Sequence, residues 1–324
     1  MDQVKLVCIG HTTLDDIMIS ETGVTYFRQP GGGGLHSAAG AALWGTGHEI
    51  GVVTKLPAGF PDQYYEEMRS LPSLDMEGAH RTDEVGLKLW LLYEDHGYRQ
   101  WVTHHNSSTR EEAAPRPDHI PPRYLRQATG FHIAPLPLPS VEDLLTALPQ
   151  DTILQIDPHY DWFFPQYRSR WLPVLRRTHI LMPSEDEFVK FFDIPYGQSP
   201  ERYIRYMREL LSLGPRIVAV KMGAQGALLA TAENPSVYLV PTAARKEDIV
   251  DFTGAGDGFC GSFLYHYLSG LSPLDCAVRG AVTSSLVLEG WGVLHTLRLP
   301  SDAAERRLDE VSERVINGIQ QLEQ

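Results

Sequence analysis

The stretch "IVDFTGAGDGFCGSFLYHYLSG" (residues 249–270) runs from a strand-like segment ending at an aspartate, through a glycine-rich turn holding a second aspartate, into an apolar run. Gly270 then closes that run, and "SP" at 272–273 opens another that stops near Gly290. Serine before proline at a start, and glycine after an end, punctuate helices. A glycine turn at a helix mouth presents backbone N–H groups that have no partner inside the helix, and the helix dipole adds to them, so the turn favours an anion. Asp257 sits inside that turn. It either caps the helix or takes a proton from an attacking hydroxyl while the N–H groups hold the charge that develops on a transferred phosphoryl group.

Outward from this turn, strand-like runs alternate with helical ones. "VKLVCIG" (4–10), "HEIGVVTKL" (48–56), "GFHIA" (130–134), "DTILQIDP" (151–158) and "THILMPSEDEF" (178–188) begin as short apolar runs, the pattern of buried parallel strands. "RIVAVKMGAQGALLAT" (216–231) is strand, glycine turn and strand, and "GLHSAAGAALWG" (34–45) a helix of small residues. The alternation predicts an α/β fold, a mostly parallel sheet with helices on both faces and ligands at the carboxyl ends of its strands. "VGLKLWLLYEDHGYRQWVTH" (85–104) reads as a β-hairpin which, with residues 12–29, makes a small sheet outside the main layer. Residues 113–140 are proline-rich loops, and "ERRLDEVSERVINGIQQLEQ" at the C-terminus is a charged amphipathic helix on the outer layer.

The 324 residues, 43% hydrophobic and 21% charged, suit one large domain. A net charge of −13 argues against sequence-independent nucleic-acid binding. The three cysteines, Cys8, Cys260 and Cys276, are too few and too widely spaced for a disulfide framework or zinc motif. No apolar run reaches membrane-spanning length and no basic-then-apolar leader is visible, so the expected location is the cytoplasm.

"DFTGAGDGF" resembles the C-terminal signature of the ribokinase-like (PfkB) carbohydrate kinases, and "QPGGGGLHSAAGAALWG" (29–45) resembles their N-terminal signature. The resemblance runs from about residue 4 to about residue 295. It implies a single ribokinase-like three-layer sandwich over 1–324 with a small β lid from about 12–29 and 85–105. It implies ATP- and Mg²⁺-dependent phosphorylation of a hydroxyl on a sugar or sugar-like molecule. Asp257 is then the base, and Gly254, Ala255 and Gly256 line the anion hole. Asp15 and the turn Gly31, Gly32, Gly33 hold the acceptor, with His36 facing it. Lys221, Gly223, Gly226 and Ser184 lie on the nucleotide side. Glu187 supports magnesium through water, and Asp251 and Thr253 hold a monovalent cation such as K⁺.

Four departures stand out. His36 replaces an asparagine usual in sugar kinases, and Ser184 replaces the asparagine of Asn-x-x-Glu, making a capping box with Glu187. His159 and Tyr160 follow Asp157-Pro158 where relatives have Asn and Arg. "FHIAPLPLPSV" (131–141) lacks an acidic residue often found there. The departures lie on the substrate and metal side. Trp90, Tyr98 and Trp101 are candidates to line the lid, where apolar ring faces stack on a sugar. The departures keep two alternatives in view: a nucleoside or vitamin-precursor kinase, in which the aromatic residues would stack on a base, and a sugar-binding regulator without catalysis. A dinucleotide dehydrogenase is weaker, because the glycines at 31–34 lack the Gly-x-Gly-x-x-Gly register. A homodimer through the lid is a further expectation.

Overall fold

The run Leu6–Ile9 is a fully buried strand, β1, in the interior of a large sheet, third from one edge. Leu6 and Cys8 face one apolar core while Val7 and Ile9 face another, so both faces of the sheet are covered. The computed structural model describes residues 3–94 and 99–322. Within them the strands are β1, β2 (Thr13–Ile19), β3 (Thr25–Gly31), β4 (Ile50–Leu56), β5 (Leu74–Arg81), β6 (Leu87–Tyr93), β7 (Arg99–Thr103), β8 (Gly130–Ile133), β9 (Ile153–Ile156), β10 (Ile180–Leu181), β11 (Ile217–Lys221), β12 (Ala227–Thr231), β13 (Val237–Val240) and β14 (Gln320–Leu322).

The large sheet has the order β14-β13-β12-β11-β10-β9-β8-β1-β4-β5. It is parallel from β11 to β5 and antiparallel from β11 to β14. Helices Gly33–Ala42, Ala255–Leu268 and Pro273–Val287 cover the Leu6/Cys8 face, and helices such as Leu138–Leu145 and Ile204–Ser212 cover the other. This is the expected α/β sandwich.

β2, β3, β6 and β7 form a second, four-stranded sheet in the order β3-β2-β6-β7. Its outer pairs are antiparallel, while β2 and β6 run parallel. The hairpin turn reading "EDHG" falls partly outside the described residues, as does Tyr98.

Two sequence expectations are corrected. Residues 249–251 are not a strand. A short 3₁₀ turn at Lys246–Asp248 is followed by irregular chain, held by the N–H groups of Val250 and Asp251 on the Leu288 carbonyl. The C-terminal helix stops at Asn317 and the chain turns back as β14 against β13. The apolar pair Ile249-Val250 mimics a strand end, while Gln320–Leu322 lacks the alternation that marks one, so local pattern misplaced both.

Candidate active site

The two helices that carry the site cross at glycines. A Cβ on Gly261 would lie 1.8 Å from the Ser37 carbonyl oxygen, and one on Gly40 would lie 2.4 Å from that of Gly258. Only hydrogen at these positions lets the backbones meet. Between this pair and the sheet, His132 of β8 accepts at Nδ1 from the Gln155 side-chain amide (3.0 Å) and lies 3.0 Å from Ser37 Oγ at Nε2. The Gln155 amide also donates to the Cys260 carbonyl (2.7 Å). The amide donates to Nδ1, so the Nε2 hydrogen goes to Ser37, and one buried network ties both helices to β8 and β9.

The helix crossing brings the acceptor-side turn to the carboxylate of Asp257. A Cβ on Gly33 would sit 2.8 Å from Asp257 Oδ1. Asp257 lies half-buried in the first turn of the helix Ala255–Leu268. Gly254 caps that helix in the left-handed region, φ 79°, a conformation that glycine adopts without steric cost. The ring of His36, 2% exposed, packs against it: a Cβ on Gly254 would fall 2.1 Å from His36 Nδ1. His36 thus lies beneath the anion turn and shapes it. Near the same turn, the carboxylate of Asp15, 5% exposed, lies against Gly31 and accepts from Thr13 Oγ1 at 2.9 Å.

Across the turn, Lys221 at the end of β11 comes within ordinary contact of Gly256 and pairs with Asp157, the residue after β9. Cys260 Sγ is 3.6 Å from the Lys221 ammonium. Burial lowers the Lys221 pKa, but the Asp157 charge, with Cys260, Glu187 and Asp257, more than reverses this and the ammonium is held protonated. Burial pushes the Asp157 carboxyl up, and Lys221 opposes this. Asp157 Oδ1 is buried and has no hydrogen-bond partner among the described residues.

Ser184 and Glu187 form a complete capping box: Ser184 Oγ accepts from the Glu187 N–H (3.3 Å), and Glu187 Oε2 accepts from the Ser184 N–H (2.6 Å). Ser184 also bridges to Lys221 through the backbone. Burial raises the Glu187 carboxyl pKa. Gly223 and Gly226 form the turn between β11 and β12. Among the described residues no three His, Cys, Asp or Glu side chains converge into a ready-made metal cage. The open Asp157 oxygen beside Glu187 and Asp257 fits Mg²⁺ held mainly through water and phosphate oxygens.

Asp251, fully buried, accepts at Oδ1 from the Tyr93 hydroxyl and from the Thr253 N–H (2.8 Å), and the Gly292 N–H lies 3.4 Å from Oδ2. Tyr93 belongs to the second sheet. Sequence reasoning did not place it, nor the Asp157–Lys221 pair, although Asp157 at the end of a strand-like run was a visible signal.

Beyond these, Trp101 of β7 meets Tyr160 edge-on at 5.9 Å, with the Arg110 guanidinium 5.5 Å from the Trp101 ring centre. Trp90 stacks on His104 at 4.4 Å.

The model of the "pfkB family carbohydrate kinase" matches residues 3–298. The chain belongs to this family. A cytidine kinase of Thermococcus kodakarensis is 28% identical over 290 residues, 89% of this chain and 98% of that protein. The crystal structure of the Methanocaldococcus jannaschii nucleoside kinase superposes with a TM-score of 0.71 at 20% identity, over 95% of this chain and 99% of that one. An Escherichia coli chain solved in complex with ATP and Mg²⁺ gives 0.73 at 20% identity, over 95% and 99%. The protein is an ATP-dependent kinase of small sugar or nucleoside alcohols, with the ribokinase fold.

Proposed function

We infer that the acceptor is a nucleoside and that Asp257 takes the proton from its sugar hydroxyl. The observation that carries this is the aromatic pair Trp101 and Tyr160, one on the second sheet and one just past β9, with Arg110 over the tryptophan. Aromatic faces stack on a planar base, and a guanidinium adds cation–π attraction. The full-length likeness to a cytidine kinase supports the same reading.

In this mechanism the Asp15 carboxylate accepts from the acceptor's hydroxyls, and the turn Gly31–Gly33 lets the sugar approach the backbone. Asp257 Oδ1, beside Gly33, faces the hydroxyl that attacks. As the oxygen–phosphorus bond forms and the bond to ADP breaks, the hydroxyl proton passes to Asp257. The N–H groups of residues 254–257 and the Lys221 ammonium hold the charge on the phosphoryl oxygens. Asp157 and Glu187 would hold Mg²⁺ largely through water, and the ion would neutralise charge on the phosphates. The second sheet acts as a lid that keeps water from ATP. Three buried free thiols suit a reducing cytoplasm. Exposed Met18, Phe27 and Val102 on the lid suit a homodimer through that sheet.

The test is ADP release over a panel of cytidine, uridine, adenosine, ribose, hexoses and sugar acids. At least one nucleoside is expected to exceed free ribose in kcat/KM by about tenfold or more, the worth of one stacked base. A preference for ribose or another free sugar would overturn the nucleoside reading. A monovalent cation at Asp251 and Thr253, implied by the family resemblance, would compete with the protein donors already on Asp251.

A further inference from the structure

We propose that Tyr93 closes the Asp251 site in place of a monovalent cation, and so makes assembly of the phosphoryl-holding turn depend on the seating of the lid. The Asp251 carboxylate is fully buried, so its oxygens need partners. Here those partners are hydrogens. Tyr93 O–H and the Thr253 N–H reach Oδ1, and the Gly292 N–H points to Oδ2. Tyr93 gives its hydrogen to Asp251, so its oxygen accepts from Thr253 Oγ1 at 2.9 Å. A cation needs lone pairs converging on one point, and three donors converging on the same carboxylate repel it.

The position of Tyr93 gives the device its reach. The residue ends β6 of the lid, and its ring stands edge-on to Trp291 at 4.7 Å. Trp291 in turn packs against Tyr26 of β3, 6.1 Å away. Asp251 lies three residues before Gly254, whose left-handed turn starts the anion site. The lid therefore reaches the turn through one hydroxyl and one tryptophan. Tyr93 acts through Asp251 and Thr253, and so as a positioning residue. The inference rests on membership of the kinase family and not on the class of acceptor.

The experiment measures ADP formation with the best acceptor of the panel, whichever class it is. The wild-type enzyme is assayed in KCl and in choline chloride at equal ionic strength, and Tyr93→Phe is assayed beside it. Expected are wild-type rates equal within about twofold in the two salts, since no cation site is being filled. In Tyr93→Phe, which keeps the ring on Trp291, kcat is expected to fall about tenfold while KM for ATP and acceptor stays within about threefold. Strong potassium stimulation of the wild type overturns the proposal, and needs no variant to be seen. An unchanged kcat in Tyr93→Phe overturns it equally. A sugar preference in the panel would sink the nucleoside reading and leave this one standing.

Discussion

Asp257 sits with one oxygen against Gly33 and its backbone inside the anion turn, so a change confined to its carboxylate separates proton transfer from architecture. Asp257→Asn keeps the shape and loses the proton acceptor. Its kcat is expected to drop by about a thousandfold or more, with ATP affinity and circular dichroism unchanged. Turnover near that of the wild type would end the assignment of Asp257 as base. The placement of Asp257, Gly254 and the turn at 31–33 at helix starts could be read from the sequence, because a glycine turn opening a helix is a local feature of the chain. Tyr93 on Asp251, and Asp157 on Lys221, could not. Each pair joins segments far apart in the chain, and no periodicity encodes which tyrosine meets which carboxylate. The substitutions at 36 and 184 also gain a physical account. His36 packs under Gly254, and Ser184 completes a capping box with Glu187.

At the level of elements, the contact between helices Gly33–Ala42 and Ala255–Leu268 decides where the turn Gly31–Gly33 and Asp257 stand relative to each other. Gly261→Ala places a methyl on the Ser37 carbonyl, a backbone atom that cannot rotate away. The variant is expected to lose about 1–3 kcal/mol of stability in urea unfolding. Its kcat should fall as well, because both helices carry site residues, and a variant of normal stability and rate would show that the helices tolerate separation. Helix ends were legible where local caps exist: Ser272 accepts from the Asp275 N–H at 3.1 Å, as serine before Pro273 implied. β10, with only two residues, was still legible at the head of the apolar run at 178–188, whereas β14, with three, was too short to leave a pattern.

Across the molecule, four of the buried histidines among the described residues are held neutral by burial. Burial lowers His11 and His266 to about 4, and His132 and His159 to about 3. Their folded values lie below the unfolded value near 6.5, so between those limits the unfolded chain binds protons that the native one refuses. Stability is therefore full above about pH 6.5 and falls as pH drops, by up to about 1.4 kcal/mol per histidine per pH unit. Urea midpoints measured from pH 8 to pH 5 should show this decline. A flat profile would mean that these rings are protonated in the folded state. No helix among the described residues is long and apolar enough to cross a membrane.

The meeting of residue 40 with residue 258 also has a temporal side. A ribosome adding about 5–20 residues each second takes on the order of ten seconds or more to pass from one to the other. Throughout that interval β1 and the small-residue helix after it have been made, while the helix that covers them has not. The N-terminal half must wait with an apolar face uncovered, and the phosphoryl site cannot exist until the last third of the chain has emerged. A protein organised in this way gains its activity late in synthesis, and leans on whatever shields its first half until then.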